Sequence, residues 1–378
     1  MKTAWPTAQL GEVVDFLDHK RRPITASARL PGPYPYYGAN GQQDSVAGYI
    51  FDEPLVLLAE DGGHFDEPKR GIAYRVGGKC WVNNHAHVLR PKAVVDLVYL
   101  TRVLENADVQ RVITGTTRAK LTKAGASAIE IPLPPIEEQR RIAAVLDAAD
   151  AVRANRRQAL AKLDTLTQAI FIDMFGDPRT NPRGLRLERL GDLCLTKGEY
   201  GAGVSSEPWT PSKPRYLRIT DIQADGRLTA DRVGPAGEAT SWASKLLRPG
   251  DVVFARSGAT VGKTYLARPR DEPMVFAGYL IRFTPDPSRL APEYLLQYTR
   301  TSLYRSWVAN TAEVVAQPNL NAQKYSEMRI PLPTLPEQER FAELAGRIES
   351  QAQVWGRAAA SLDALFASLQ QRAFRGEL

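Results

Sequence analysis

The sequence predicts an α+β chain. Two mixed, strand-rich domains are separated by two long antiparallel α-helices, arranged as a pseudo-two-fold internal repeat. Three observations predict it: a proline-rich motif that occurs twice, an apolar seam of helical spacing after each copy, and short apolar runs bounded by Gly, Asp and Pro before each copy.

The repeat comes first because it organises the rest. Residues 131–143 read IPLPPIEEQRRIA and residues 330–342 read IPLPTLPEQERFA, aligned without a gap at an offset of 199. The same offset places Leu121 on Leu320, Ser127 on Ser326, Ile170 on Leu369 and Phe175 on Phe374, so about 55 residues keep one register. Nearer each start, Leu10-Gly11-Glu12-Val13 echoes Leu190-Gly191-Asp192-Leu193 at an offset of 180. The helical parts match closely, while the regions before them differ in length and sequence.

Pro132, Pro134 and Pro135 force extended backbone, and Glu137 and Glu138 then suit a first helical turn, where acidic side chains complement the dipole. In the first copy the seam runs Ile142, Leu146, Ala149, Leu160, Leu163, Ile170 and Met174, interrupted by Arg153 and Arg156. In the second it runs Phe341, Ala345, Ile348, Ala352, Trp355, Ala359, Leu362, Phe366 and Leu369. Neither Pro nor Gly falls between Glu137 and Met174; a helix over that span is ~57 Å long at 1.5 Å per residue. A helix of that length with one apolar stripe needs a partner, and each copy is the natural partner of the other. Ile142, Leu146, Leu160, Leu163, Ile170, Phe341, Ile348, Trp355, Leu362 and Leu369 are therefore expected in helix packing or partner binding. The first helix is expected to stop at Phe175-Gly176-Asp177-Pro178. The expected partition is 1–135, 136–180, 181–334 and 335–378: domain, helix, domain, helix.

Within the two variable regions, Pro54–Ala59 and Asp251–Ala255 read as buried strands, and residues 96–110 and 292–307 as helices. Polar clusters flank the strands. The first region offers Tyr37 and Asn40, then Asn83, Asn84, His85 and His87, then Arg118 and Lys120. The second offers Arg218 and Thr220, then Arg256, Ser257, Thr260 and Lys263, then Gln317 and Asn319. Arg, Asn and Gln can pair with base edges, and Lys or Ser can hold phosphates, so these are the candidate DNA-binding residues. Each loop is also consistent with an ordinary solvated turn.

Bulk properties agree with a nucleic-acid partner without demanding one. The net charge of +7 attracts polyanions. The two cysteines, Cys80 and Cys194, lie far apart, which points to a reducing, cytoplasmic setting. No catalytic residue and no metal site is expected. Gly258–Thr264 lacks the glycine spacing of a phosphate loop, His85 and His87 have no nearby Cys or carboxylate to complete a metal set, and Glu60-Asp61 has no identifiable catalytic partner. Neither a dinucleotide-binding glycine motif nor a methyltransferase or nuclease signature occurs.

Ile131–Gln139 and its copy Ile330–Gln338, each leading into a long helix, resemble the specificity (S) subunits of type I restriction-modification systems. Gly250–Lys263 resembles a common stretch of that family's recognition domains, as do Tyr36–Gly41 and Asn83–His87. The resemblance covers essentially the whole chain. One departure is Pro336 where the first copy has Glu137, which is expected to change the start of the second helix slightly. The resemblance implies two target-recognition domains, each reading half of a split site in double-stranded DNA, with the helices as spacer. It further implies docking of two modification (methyltransferase) subunits that bring S-adenosylmethionine, and restriction subunits using ATP and Mg in the full complex that defends against foreign DNA. No cofactor would belong to this chain. The alternatives are a self-sufficient DNA methyltransferase or nuclease of unusual type, and a coiled-coil adaptor with no DNA role.

Overall fold

A computed structural model describes residues 5–67, 70–105, 107–115, 119–223, 226–314 and 318–378. Contacts divide the chain into two compact units, one of residues 1–157 with 357–378 and the other of residues 158–356.

The first unit is organised by a four-stranded antiparallel sheet ordered Val14–Phe16, Ala86–Pro91, Leu55–Ala59, Ala73–Val76. The Leu55–Ala59 strand is buried throughout, as expected of a continuous apolar run in a central position. A second four-stranded sheet contains the parallel pairing of Tyr36 and Tyr37 with Trp81 and Val82.

The second unit repeats this plan. Its sheet is ordered Glu199–Tyr200, Leu280–Phe283, Val252–Ala255, Thr264–Leu266, again antiparallel, and Arg215–Leu217 pairs in parallel with Met274–Phe276. In each unit the opening strand closes onto the proline motif: Thr7–Gln9 against Glu130–Pro132, and Arg186–Arg189 against Arg329–Leu332. The Leu-Gly echo seen in the sequence follows each opening strand. A Cβ on Gly11 would come within 3.1 Å of Ser127, and one on Gly191 within 2.9 Å of Ser326. Glycine makes that close approach without displacing the serine, and the two serines are themselves register partners.

The long helices span Ile136–Phe175 and Leu335–Phe374, each of 40 residues. The second starts at the residue equivalent to the first, despite Pro336. A proline in the first turn costs little because its missing N–H would have had no helical partner. The first helix stops where expected: Gly176 adopts a φ of 80° and its N–H reaches the Ile172 carbonyl at 2.8 Å.

The antiparallel pairing is visible inside each unit. In the first, Ile142 and Leu146 of one helix share a core with Phe366 and Ala373 of the other. Arg153, which interrupts the seam in the sequence, bridges the pair: its guanidinium lies 4.2 Å from the Phe366 ring centroid and 2.7 Å from Asp363. In the second, Phe171 and Phe341 meet with ring centroids 5.4 Å apart.

Two expected helices differ in extent. The first is confined to Leu97–Leu104, its N-terminus capped by Asp96, which accepts from the Val98 and Tyr99 N–H groups. The second is broken into Pro292–Tyr298 and Ser302–Thr311, because the Thr301 side chain caps a fresh start by accepting from the Tyr304 N–H.

A buried arginine ties the first variable region to its helix. Arg102 donates to Asp147 at 2.7 Å and Asp150 at 3.1 Å, and Arg75 reaches Asp147 at 2.9 Å. Burial pushes the Asp147 carboxyl up, but the hydrogen bonds from Arg102 and Arg75 outweigh it and hold it below the usual range. A carboxylate depressed in the folded state contributes stability that is complete above its unfolded pKa of about 3.9, and that is lost as pH falls through the folded value. Asp147→Asn should therefore make the acid limb of the stability curve shallower below about pH 4 in urea titrations. An acid limb identical to the parent's would remove this network from the account.

Candidate nucleic-acid interface

In the first unit the central strand Leu55–Ala59 delivers Glu60 to a crowded loop junction. The Glu60 N–H donates to the His85 carbonyl at 2.9 Å, and its own carbonyl accepts from the Leu121 N–H at 2.7 Å. Three sequence-separate loops are thereby held together. Arg21 donates to Glu60 at 2.6 Å and to the Ala86 carbonyl at 2.7 Å, and Lys120 lies 3.0 Å from Glu60. Burial raises Glu60, but the hydrogen bonds from Arg21 and Lys120 outweigh it and keep its carboxyl below the usual range. Asp18 behaves likewise: burial raises it, and the contacts from His87 and the Val88 N–H lower it further.

The candidates of this unit divide into inward and outward groups. His87 is 1% exposed, with Nδ1 2.7 Å from Asp18 and Nε2 2.9 Å from the Leu121 carbonyl. Asn83 is buried; it accepts from the His85 N–H at 2.8 Å and donates to Gln43 at 3.2 Å. Both side chains shape the loop. Tyr37 is half-buried, its ring 5.9 Å from Tyr74, and burial pushes its hydroxyl pKa up. Asn40 donates to the Gly62 carbonyl at 2.9 Å, linking two candidate loops. Asn84 and Lys120 are exposed, and His85 is partly exposed with Nδ1 2.5 Å from Asp61. Arg118 lies outside the described residues.

Asp18, Glu60 and His87 place three potential metal-ligand atoms within 4.8 Å of one another. Two carboxylates and an imidazole suit a divalent cation in type. Here, however, Arg21 and Lys120 already compensate the carboxylates and both His87 nitrogens are engaged, so the residues do not fit a metal.

The second unit builds a different surface on the same strand end. Arg256 follows Ala255, and its guanidinium lies 4.8 Å from the Tyr200 ring centroid. Its N–H donates to the Tyr279 carbonyl at 3.0 Å and its carbonyl accepts from Leu320 at 2.8 Å. Ser257 bridges to Asn319, which is exposed, and the Thr260 hydroxyl donates to the Ser257 carbonyl at 3.0 Å. Lys263 turns inward to the Ile222 carbonyl at 2.9 Å, which places its amine in the fold and not over a phosphate. Arg218 pairs with Asp221 at 2.8 Å, with Thr220 exposed in the same turn. Gln317 lies outside the described residues.

Four residues at these junctions escaped sequence reasoning: Asp18, Arg21, Tyr200 and Tyr279. Tyr279 is 63% exposed, yet it sits inside the run MVFAGYLIRF, which is apolar but for Arg282. Only Gly278 hints at the turn that presents it.

On the helices, Ile142, Leu146 and Phe341 are buried, whereas Leu160, Leu163, Ile170, Ile348, Trp355, Leu362 and Leu369 are half-buried. Leu160, Leu163 and Ile348 line a cavity of about 490 Å³ within residues 158–356, so helix packing does not close the seam there.

Two copies of one sheet plan, each ending in a polar loop junction with Arg, Asn and Tyr side chains and each joined to a long helix, define a class of DNA-recognition subunit. The chain belongs to the type I restriction-modification DNA specificity family, whose domain model matches residues 2–164 and again 207–349. It is thus a specificity subunit, a recognition component and not a catalytic one. A Haemophilus influenzae protein provisionally named a type I restriction enzyme specificity subunit is 27% identical, over 90% of this chain and 86% of its own. The MjaVIII specificity subunit of Methanocaldococcus jannaschii is 21% identical, over 92% and 86%. The solved S subunit from M. genitalium shares the fold with a TM-score of 0.65 at 13% identity, covering 99% of this chain and 96% of that one. A chain from a structural study of type I R-M complex assembly gives 0.54 at 20%, covering 99% and 98%. Among the described residues no helix is long and apolar enough to cross a membrane.

Proposed function

We propose that the loop junction of each unit reads one half of a split double-stranded DNA site, and that the two long helices set the gap between the halves. Domains of residues 1–135 and 181–334 do the reading, and the segments 136–180 and 335–378 form the spacer. The observation that carries this reading is the repeated sheet order, which delivers one polar loop junction per unit. Exposed apolar side chains on the helices, Val152, Leu166, Val354 and Leu365, support docking of two modification subunits there. S-adenosylmethionine would belong to those subunits, and ATP and Mg to the restriction subunits of the full complex, acting on DNA in the cytoplasm.

A stiff spacer makes half-site separation a geometric quantity. At about 3.4 Å per base pair, ~57 Å of helix caps the reach at roughly 17 pairs. Removing one heptad from both helices shortens the rod by ~10 Å, so the preferred gap should change by about three base pairs while both half-sites stay the same. Methylome sequencing of cells carrying the shortened protein and its modification subunits reads both quantities. Altered half-sites with an unaltered gap would overturn the spacer role.

A further inference from the structure

The two loop junctions can be matched residue by residue through their backbone hydrogen bonds, although only the 120–121 and 319–320 segments keep the repeat's offset of 199. Glu60 donates to the His85 carbonyl and accepts from Leu121; Arg256 donates to the Tyr279 carbonyl and accepts from Leu320. Asp61 forms an isolated bridge with Lys120, and Ser257 forms the same bridge with Asn319. In the sheets, Ala59 faces Ala86 and Ala255 faces Leu280. The matched pairs are therefore Glu60 with Arg256, His85 with Tyr279, and Lys120 with Asn319.

At every matched position the backbone role is kept and the side-chain chemistry changes. A carboxylate held by Arg21 and Lys120 becomes a guanidinium stacked on Tyr200. Of these, positions 85 and 279 carry aromatic rings; Lys120 is exposed but paired with Glu60, and Asn319 is an exposed amide. The His85 Nδ1 is held by Asp61 at 2.5 Å, which leaves Nε2 as the remaining polar atom of a side chain 36% exposed. Tyr279 is 63% exposed, and its hydroxyl has no partner among the described residues. Each is a rigid ring bearing one hydrogen-bonding atom, fixed by its own carbonyl to the end of a fully buried strand. A ring on so pinned a backbone can offer its polar atom to base edges, whereas a cation on a phosphate carries no sequence information.

We infer that His85 and Tyr279 are equivalent specificity-determining residues, each choosing one base pair in the half-site that its own unit reads. This deepens, and rests on, the reading of both units as DNA readers.

The test is the methylome of cells carrying the chain with its modification subunits, comparing the parent with His85→Ala, Tyr279→Ala, His85→Tyr and Tyr279→His. The parent should methylate a split motif. Tyr279→Ala should leave that motif intact except at one position of one half-site, where discrimination falls roughly 5- to 100-fold. His85→Ala should do the same at one position of the other half-site, and the exchanges should alter preference at those same two positions. Thermal melts of the Tyr279 variants should match the parent, since the side chain is largely outside the core. Relaxation in the same half-site for both alanine variants, an unchanged motif, or uniformly weaker methylation at every site overturns the inference; the last is how a phosphate contact behaves. If the parent itself methylates no split motif, the DNA-reading proposal falls with it, so the two failures are told apart.

Discussion

Phe341→Ala is expected to lower the melting temperature of the unit formed by residues 158–356 by roughly 6–20 °C. Phe341 is fully buried, and its ring lies 5.4 Å from Phe171 and 5.7 Å from Phe175. Phe171 in turn stacks on Tyr294 at 5.3 Å. Four aromatic rings from both long helices and the Pro292–Tyr298 helix therefore share one site. Truncation removes the apolar area and leaves a cavity that rigid rings cannot collapse into, a loss of about 3–5 kcal/mol. For a unit of this size each kcal/mol shifts the transition by about 2–4 °C. Phe341→Leu retains most of the volume and should lose well under half as much. Calorimetry of both variants checks the order; equal losses would mean that the cavity is not the cause.

The second large effect is expected at Gln139 and Gln338, the register-matched glutamines of the proline motifs. Both are fully buried. Gln139 accepts from the Asp96 N–H at 2.8 Å and donates to the Val94 and Pro134 carbonyls at 3.1 and 2.8 Å. Gln338 repeats this with the Ala291 N–H at 2.9 Å and the Arg289 and Pro333 carbonyls at 3.2 and 3.0 Å. One amide thus locks each long helix to the short helix of its own recognition region. Gln338→Ala strands a backbone donor and two acceptors away from water, at a cost of about 2–4 kcal/mol. Gln338→Glu keeps the shape but turns a second oxygen toward two carbonyls, so it should be at least as destabilising. If the glutamate variant melts like the parent, shape and not hydrogen bonding explains the residue.

Neither effect is visible as energy in the sequence, although the glutamines stand in its most regular motif. There Gln139 and Gln338 read as ordinary members of an acidic first turn, because their partners Asp96 and Ala291 lie more than forty residues away. The same limit applies at the loop junctions. Asn83 and His87 face inward, Lys263 is spent on a carbonyl, and Tyr279 emerges from a run that looks like core.

The duplication, the long helices, the stop of the first helix and the strand character of the variable regions were all present in the linear chain. They follow from rules that act within a few residues: proline geometry, glycine at positive φ, and apolar spacing matched to one helical face. Which polar side chains turn outward, which arginine bridges two helices and which loops share a junction were decided by the tertiary structure alone. Those outcomes depend on where distant segments come to rest. Between the two copies the loops differ in length, so no constant offset carries Glu60 to Arg256 or His85 to Tyr279. The hydrogen-bonded backbone does.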